Sequence, residues 1–134
     1  MSNQAAEIFA VELEGWLYGL KAFPGKMYPA LVQQVIKELA PALGSAMAAG
    51  VEIDFIAIAR KFLASANGVI TERAIIHHLL VQLPNPRQLN EELQYKLAIS
   101  LNAVEVKFPG VVSSAQKAWA LSHQSAPEAV RVAA

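Results

Sequence analysis

The residues best suited to chemistry in this chain are the adjacent pair His77-His78, the doublet Glu72-Arg73 and the neighbouring carboxylates Glu91-Glu92. An imidazole titrates near neutrality and can ligate a metal, and paired carboxylates can divide acid and base work between them. The spacing argues against both uses. Successive positions on a helix diverge by about 100°, so His77 and His78 cannot close on one metal ion as an i, i+4 pair would, and packing or a solvated face is the expected role. Glu72, Glu91 and Glu92 fall where helices are expected to begin, and a carboxylate there is explained by the positive end of the macrodipole. The third histidine, His123, adds no ligand cluster, and the sequence has no cysteine. It also has no Gly-x-Ser-x-Gly elbow, no glycine-rich phosphate loop with its lysine and no His-Glu-x-x-His. The expectation is a non-enzyme with no catalytic residue, cofactor or metal site.

Two other groups suit recognition better than catalysis. Trp16, Tyr18, Phe23 and Tyr28 cluster around the Pro24-Gly25 turn, where large amphipathic rings serve either as core or as an anchor for a protein partner. The stretch LNAVEVKFPG, residues 101–110, alternates Val104, Val106 and Phe108 with Glu105 and Lys107 and stops at Pro109-Gly110. Phe108 can be part of a recognition element or can plug the end of a bundle before a turn. The alternation fits a short strand, yet nothing else in the chain pairs with it. A helix running to about Lys107, or an extended arm, is the expected form.

A length of 134 residues fits one domain with a core of its own. Eleven basic and eleven acidic side chains cancel, so the chain lacks the positive footprint of a protein that neutralises phosphates or docks on an anionic membrane. Hydrophobic residues make up 54% and charged ones 16%, against roughly 25% charged in an ordinary domain. Apolar surface should therefore remain after folding, for a partner or for self-association. The first residues, Met1 to Glu7, have no basic region leading into an apolar one, which disfavours a signal peptide. Pro41 to Ala59 is the most membrane-like stretch, but Glu52, Asp54, Gly44 and Gly50 interrupt it, and a spanning helix needs about 20 nearly uncharged residues. A cytoplasmic protein is expected.

The elements read as helices. Ile8, Phe9, Leu13, Trp16, Leu17 and Leu20 approximate a helical period over Ala5 to Leu20. Met27, Leu31, Val35, Leu39, Leu43 and Met47 recur every four residues, flanked by Val32 and Ile36. Pro29 suits a first turn, whereas Pro41 removes a donor and crowds the carbonyl four residues back, so a kink or break is expected near Leu39 to Pro41. Asp54, Thr71 and Asn90 are N-cap candidates for three further helices, with apolar stripes Phe55, Ile58, Phe62 and Leu63, then Ile75, Ile76, Leu79, Leu80 and Leu83, then Leu93, Leu97 and Leu101. Asn67-Gly68 and Pro84-Asn85-Pro86 should end the first two. Ser113-Ser114-Ala115-Gln116 resembles a capping box before a helix with Trp119 and Leu121, and the tail from about 123 is expected to be mobile. The fold class is all-α: one domain over 1–134, a small bundle of about four to six helices with short connections.

The order Tyr18-x-x-Lys21-x-Phe23-Pro24-Gly25-Lys26, a long apolar helix ending in Pro-Ala-Leu, two further helices and LNAVEVKFPG is similar to the tail assembly chaperones of long-tailed bacteriophages, over about residues 16 to 112. The helical first segment departs from that pattern, since the family often begins with a short β-rich segment. The resemblance implies a non-catalytic protein of virion assembly, acting in the host cell cytoplasm through protein-protein interaction. It would bind the aggregation-prone tape measure protein and help recruit tail tube subunits, with Trp16, Tyr18, Phe23, Tyr28, Val104, Val106 and Phe108 as the partner-binding residues. A structural virion protein, such as a helical head-to-tail connector, suits the same apolar surface. A small helical inhibitor or adaptor of a host protein is a third reading, against which the absence of net charge argues.

Overall fold

The computed structural model describes residues 4–22, 29–65, 70–83 and 89–121. They form α1 (Gln4–Ala22), α2 (Pro29–Ala48), α3 (Phe55–Ser65), α4 (Glu72–Val81) and α5 (Glu91–Lys107), followed by α6 over residues 111–121. No strand occurs among the described residues, and the fold is a small all-α bundle. The expected helix ends at Asn67-Gly68 and Pro84-Asn85-Pro86, Met27 of the α2 stripe, the Pro24-Gly25 turn and the tail from about 123 lie outside the described residues.

The helices are placed by apolar stripes that converge on one core. α1 packs on α2 and α3, α3 on α4 and α5, and α2 on α4. Phe9, Leu13, Leu17 and Leu20 bring one side of α1 to Val32, Val35, Ile36, Leu39 and Leu43 of α2 within a single buried cluster that runs to Ala115 in α6. Phe55 and Phe62 of α3 and Ile75, Ile76 and Leu79 of α4 are fully enclosed at its centre. Burying one side chain of this size stabilises by about 1.5–3 kcal/mol.

Three N-caps are where the sequence places them. Asp54 Oδ1 accepts from the Ala57 amide at 3.0 Å, Thr71 Oγ1 from Ala74 at 3.1 Å and Asn90 Oδ1 from Leu93 at 2.9 Å. Each satisfies an amide that the helix itself cannot pair.

The expected break at Pro41 is absent: α2 continues through it to Ala48. Pro41 lies on the exposed side, between the buried faces that hold Leu39 and Ala42. Packing on both sides of it carries the helix past the missing donor. α2 ends instead at Gly50, whose φ of 85° lets the Gly50 amide reach Met47 O at 3.0 Å and the Val51 amide reach Ala46 O at 2.9 Å. This is the paired bonding of a Schellman motif, with glycine at its left-handed position. The stretch from Pro41 to Ala59 is thus the end of one helix, a connection and the first turn of another, and no helix among the described residues is long and apolar enough to cross a membrane.

The capping box expected at Ser113 is also displaced. α6 starts at 111, with its N-cap three residues before Ser113, and Ser113 Oγ donates back to Gly110 O at 3.2 Å from inside the first turn. Phe108, Pro109, Gly110 and Val111 form a turn closed by the Val111 amide on Phe108 O at 3.2 Å, with Gly110 at φ 89°. Proline second and a positive-φ glycine third is the signature of a type II turn. Turn chemistry, not the serines, therefore sets the start of α6.

Candidate protein-binding surfaces

LNAVEVKFPG is the last two turns of α5 followed by that type II turn, and its alternation distributes the side chains around a helix. Val104 is 1% exposed and belongs to the core, while Val106 is 76% exposed. Phe108, four residues after Val104, is half-buried and packs against the core cluster. Of the three, only Val106 stands fully free for a partner. The buried Val104 reports that positions two apart on a helix lie on nearly opposite sides.

The aromatic group is likewise divided. Tyr18 is 77% exposed and points away from the bundle, and Trp16 lies partly exposed at the border of the buried face of α1. Phe23 and Tyr28 fall outside the described residues. The two described members are two positions apart on one helix and do not share a face.

His77 and His78 diverge as expected but remain in contact, their rings 5.4 Å apart and nearly perpendicular. His77 Nδ1 lies 3.4 Å from Ser114 Oγ, so it faces α6. Burial, then the charges of His77 and Lys37, hold His78 below its ordinary pKa of 6.5. Both rings line a hollow with Thr71, Arg73 and Ser114, to which no described residue brings a carboxylate. Among the described residues no group of three or more His, Asp or Glu side chains could hold a metal ion.

A markedly apolar concavity lies elsewhere, between α4, α5 and α6. Leu80 and Leu83 form one wall, Leu97 and Leu101 a second, and Val112 and Trp119 the third, around a cleft of about 180 Å³. Trp119 Nε1 donates to Leu83 O at 3.1 Å. With its polar atom satisfied on the backbone, the indole offers the cleft its hydrocarbon surface. Among the described residues no charged side chain lines it, and Gln116 supplies the one polar side chain. Cavities of this size hold small apolar groups.

The sequence gives Leu80, Leu83, Leu97 and Leu101 to helix stripes and so to the core. Leu80 and Leu97 are buried there, whereas Leu83 and Leu101 are only partly so, and no local signal separates the two pairs, because the wall exists only once α6 lies beside them. Beyond the cleft, a broader groove between the start of α3 and α5 carries Asp54, Arg60 and Lys107 at its rim and Ile99 in its wall.

No family model, curated protein or solved structure matches this chain.

Proposed function

We propose that this chain is a non-catalytic protein-binding domain that holds apolar side chains of a helical client in the cleft between α4, α5 and α6. The observation that supports the reading is the cleft itself, a concavity whose described lining is uncharged and whose tryptophan is already satisfied by Leu83 O. An amphipathic helix lays apolar residues into such grooves at i, i+3 and i+4 spacing. The apolar side chains Leu80, Leu83, Leu97, Leu101, Val112 and Trp119 favour a client segment that is itself apolar, as an aggregation-prone helical protein presents.

The tail assembly chaperone reading comes from the sequence resemblance of residues 16 to 112, and the cleft is compatible with it. Its client would be a tape measure protein, kept soluble while tail tube subunits assemble. The test is co-expression with a tape measure protein, comparing the native chain with Leu101→Glu. A soluble complex that the charge in the cleft abolishes, with an unchanged far-UV spectrum, supports the reading. A client equally soluble with either form, or soluble alone, removes it.

A helical structural virion protein is the second reading, favoured by the apolar outer side of α1, where Ile8, Val11 and Tyr18 are exposed. A closed ring larger than a dimer that resists dilution in light scattering would decide for it.

A further inference from the structure

α1 has two apolar faces, and the bundle uses one. At about 100° per residue, Phe9, Leu13, Leu17 and Leu20 fall on one side and are buried. Diametrically opposite, Ile8, Val11, Gly15 and Tyr18 recur at i, i+3, i+7 and i+10, with Ile8 51% and Val11 72% exposed. The side of a surface helix turned from the core ordinarily carries its charges. Here the charges stand at the edge of the stripe: Glu7, Glu14 and Lys21, seven residues apart, share one flank.

The glycines are the second feature. A Cβ placed on Gly15 or Gly19 would meet nothing within 4 Å, so no neighbour among the described residues requires either to be small. Glycine inside a helix is destabilising relative to alanine. What it supplies on an open face is a bare backbone that another helix can approach closely.

We infer that this face of α1 packs against the same face of a second copy of the chain, antiparallel about a two-fold axis near the middle of the helix. In that register Val11 seats over the partner's Gly15, Ile8 lies beside the partner's Tyr18, and Glu7 meets the partner's Lys21, each contact occurring twice by symmetry. Charge selects both the orientation and the occupant. Antiparallel helices bring like flanks together, which places Glu7 opposite Lys21. A parallel pair would set the flank of Glu7 and Glu14 beside the opposite flank, which carries Glu12. Glu14, near the axis, is engaged by Lys61 of its own chain at 2.9 Å, while Glu7 and Lys21 enter no ion pair among the described residues. Knob and hole lie on one stripe and both charges on one flank of it, as a self-complementary surface needs.

A single helix pair is at the low end of interface size, so the dimer forms and dissociates with concentration. It is independent of the cleft and of any client.

The test is sedimentation velocity of the full chain from micromolar to millimolar concentration, with four variants. The native chain shifts from monomer to dimer. Gly15→Gln, which replaces glycine with a good helix former where space is open, abolishes the dimer without lowering the melting temperature. Glu7→Lys and Lys21→Glu singly weaken it about three- to tenfold at low salt, the scale of exposed ion pairs, and the double exchange restores it. The double exchange opposes the helix dipole at both ends, so its recovery is not a gain in helix stability. A monomer at every concentration, a dimer indifferent to Gly15→Gln, or a double exchange no better than the singles overturns the proposal. A dimer lost in Leu101→Glu does the same, because it would place the contact in the cleft.

Discussion

The guanidinium of Arg73, at the start of α4, donates through Nη2 to the carbonyl of Pro109 in the turn between α5 and α6, at 2.9 Å. In the same turn Glu105 Oε2 accepts from the Gly110 amide at 2.7 Å. The two contacts bind the α5 to α6 corner to the rest of the bundle and to itself. The Gly110 carbonyl accepts from the Ser114 amide, so Gly110 stands at the N-cap of α6 and the Glu105 carboxylate lies at the positive end of that helix.

Gly110→Ala is therefore expected to destabilise the chain by about 1–2 kcal/mol, the cost of a left-handed backbone for a residue with a Cβ. The added carbon would also stand 3.4 Å from Arg73 Nη2. Gly110→Asn, which tolerates positive φ better, should lose less. Urea midpoints measure both, and equal midpoints for alanine and glycine would show that the turn is free to change type.

Glu105→Ala removes a charge-assisted bond to a backbone amide, and a loss of about 1 kcal/mol is expected, like that of an N-cap. Glu105→Gln should keep the geometry and recover part of it. Salt decides between charge and hydrogen bond: only the charge contribution fades as ionic strength rises.

How this corner is built explains what the sequence could and could not tell. Asp54, Thr71 and Asn90 were legible because a cap is a local device, read from one side chain and the amide three residues on. Pro109-Gly110 was legible as a turn for the same reason. The partition of Val104, Val106 and Phe108 was not, because five residues of alternating character fit strand and helix alike. The cleft was not legible at all, since Leu97 and Leu101 become a wall only when α6 returns beside them. Pro41 misled in the opposite direction: its local cost is real, and tertiary packing of Leu39, Ala42 and Leu43 outweighs it.

His78 gives the fold a pH dependence of definite sign. Its folded pKa lies below 6.5, lowered first by burial and then by His77 and Lys37. Between that lowered value and 6.5 the unfolded chain binds more protons than the folded one, so stability falls as pH falls through this window. Above 6.5 both states are neutral at this position and the contribution is intact. His78→Gln should flatten the melting temperature between pH 7 and about 5 relative to the native chain. A native slope that survives the substitution would transfer the effect to other groups.

Trp119 is expected to matter to the cleft through its nitrogen as well as its area. Trp119→Phe keeps an aromatic wall but leaves the Leu83 carbonyl without the indole donor, for a loss of about 1 kcal/mol. Denaturant titration measures the loss. If the cleft admits apolar molecules, a small aromatic such as benzene should raise the native midpoint and do so less in Leu101→Glu, since ligand bound only to the folded state stabilises by mass action.

Pro41→Ala asks whether the interruption in α2 has any structural use. Proline inside a helix costs about 3 kcal/mol relative to alanine in an unstrained host, and Pro41 sits on the exposed side with α2 continuous through it. The substitution restores the amide that Lys37 O would accept and removes the ring that crowds it. A gain of about 1–3 kcal/mol in urea is expected, less than the full figure where packing on both sides of Pro41 already holds the helix in place. The carbonyl to be relieved belongs to Lys37, whose side-chain charge acts on His78, so the pH dependence of the variant is informative as well. A more stable protein with the same slope between pH 7 and about 5 would show that the missing bond at Pro41 and the His78 environment are independent. A loss of stability would mean that α2 needs its proline to hold Leu39 and Leu43 in the core.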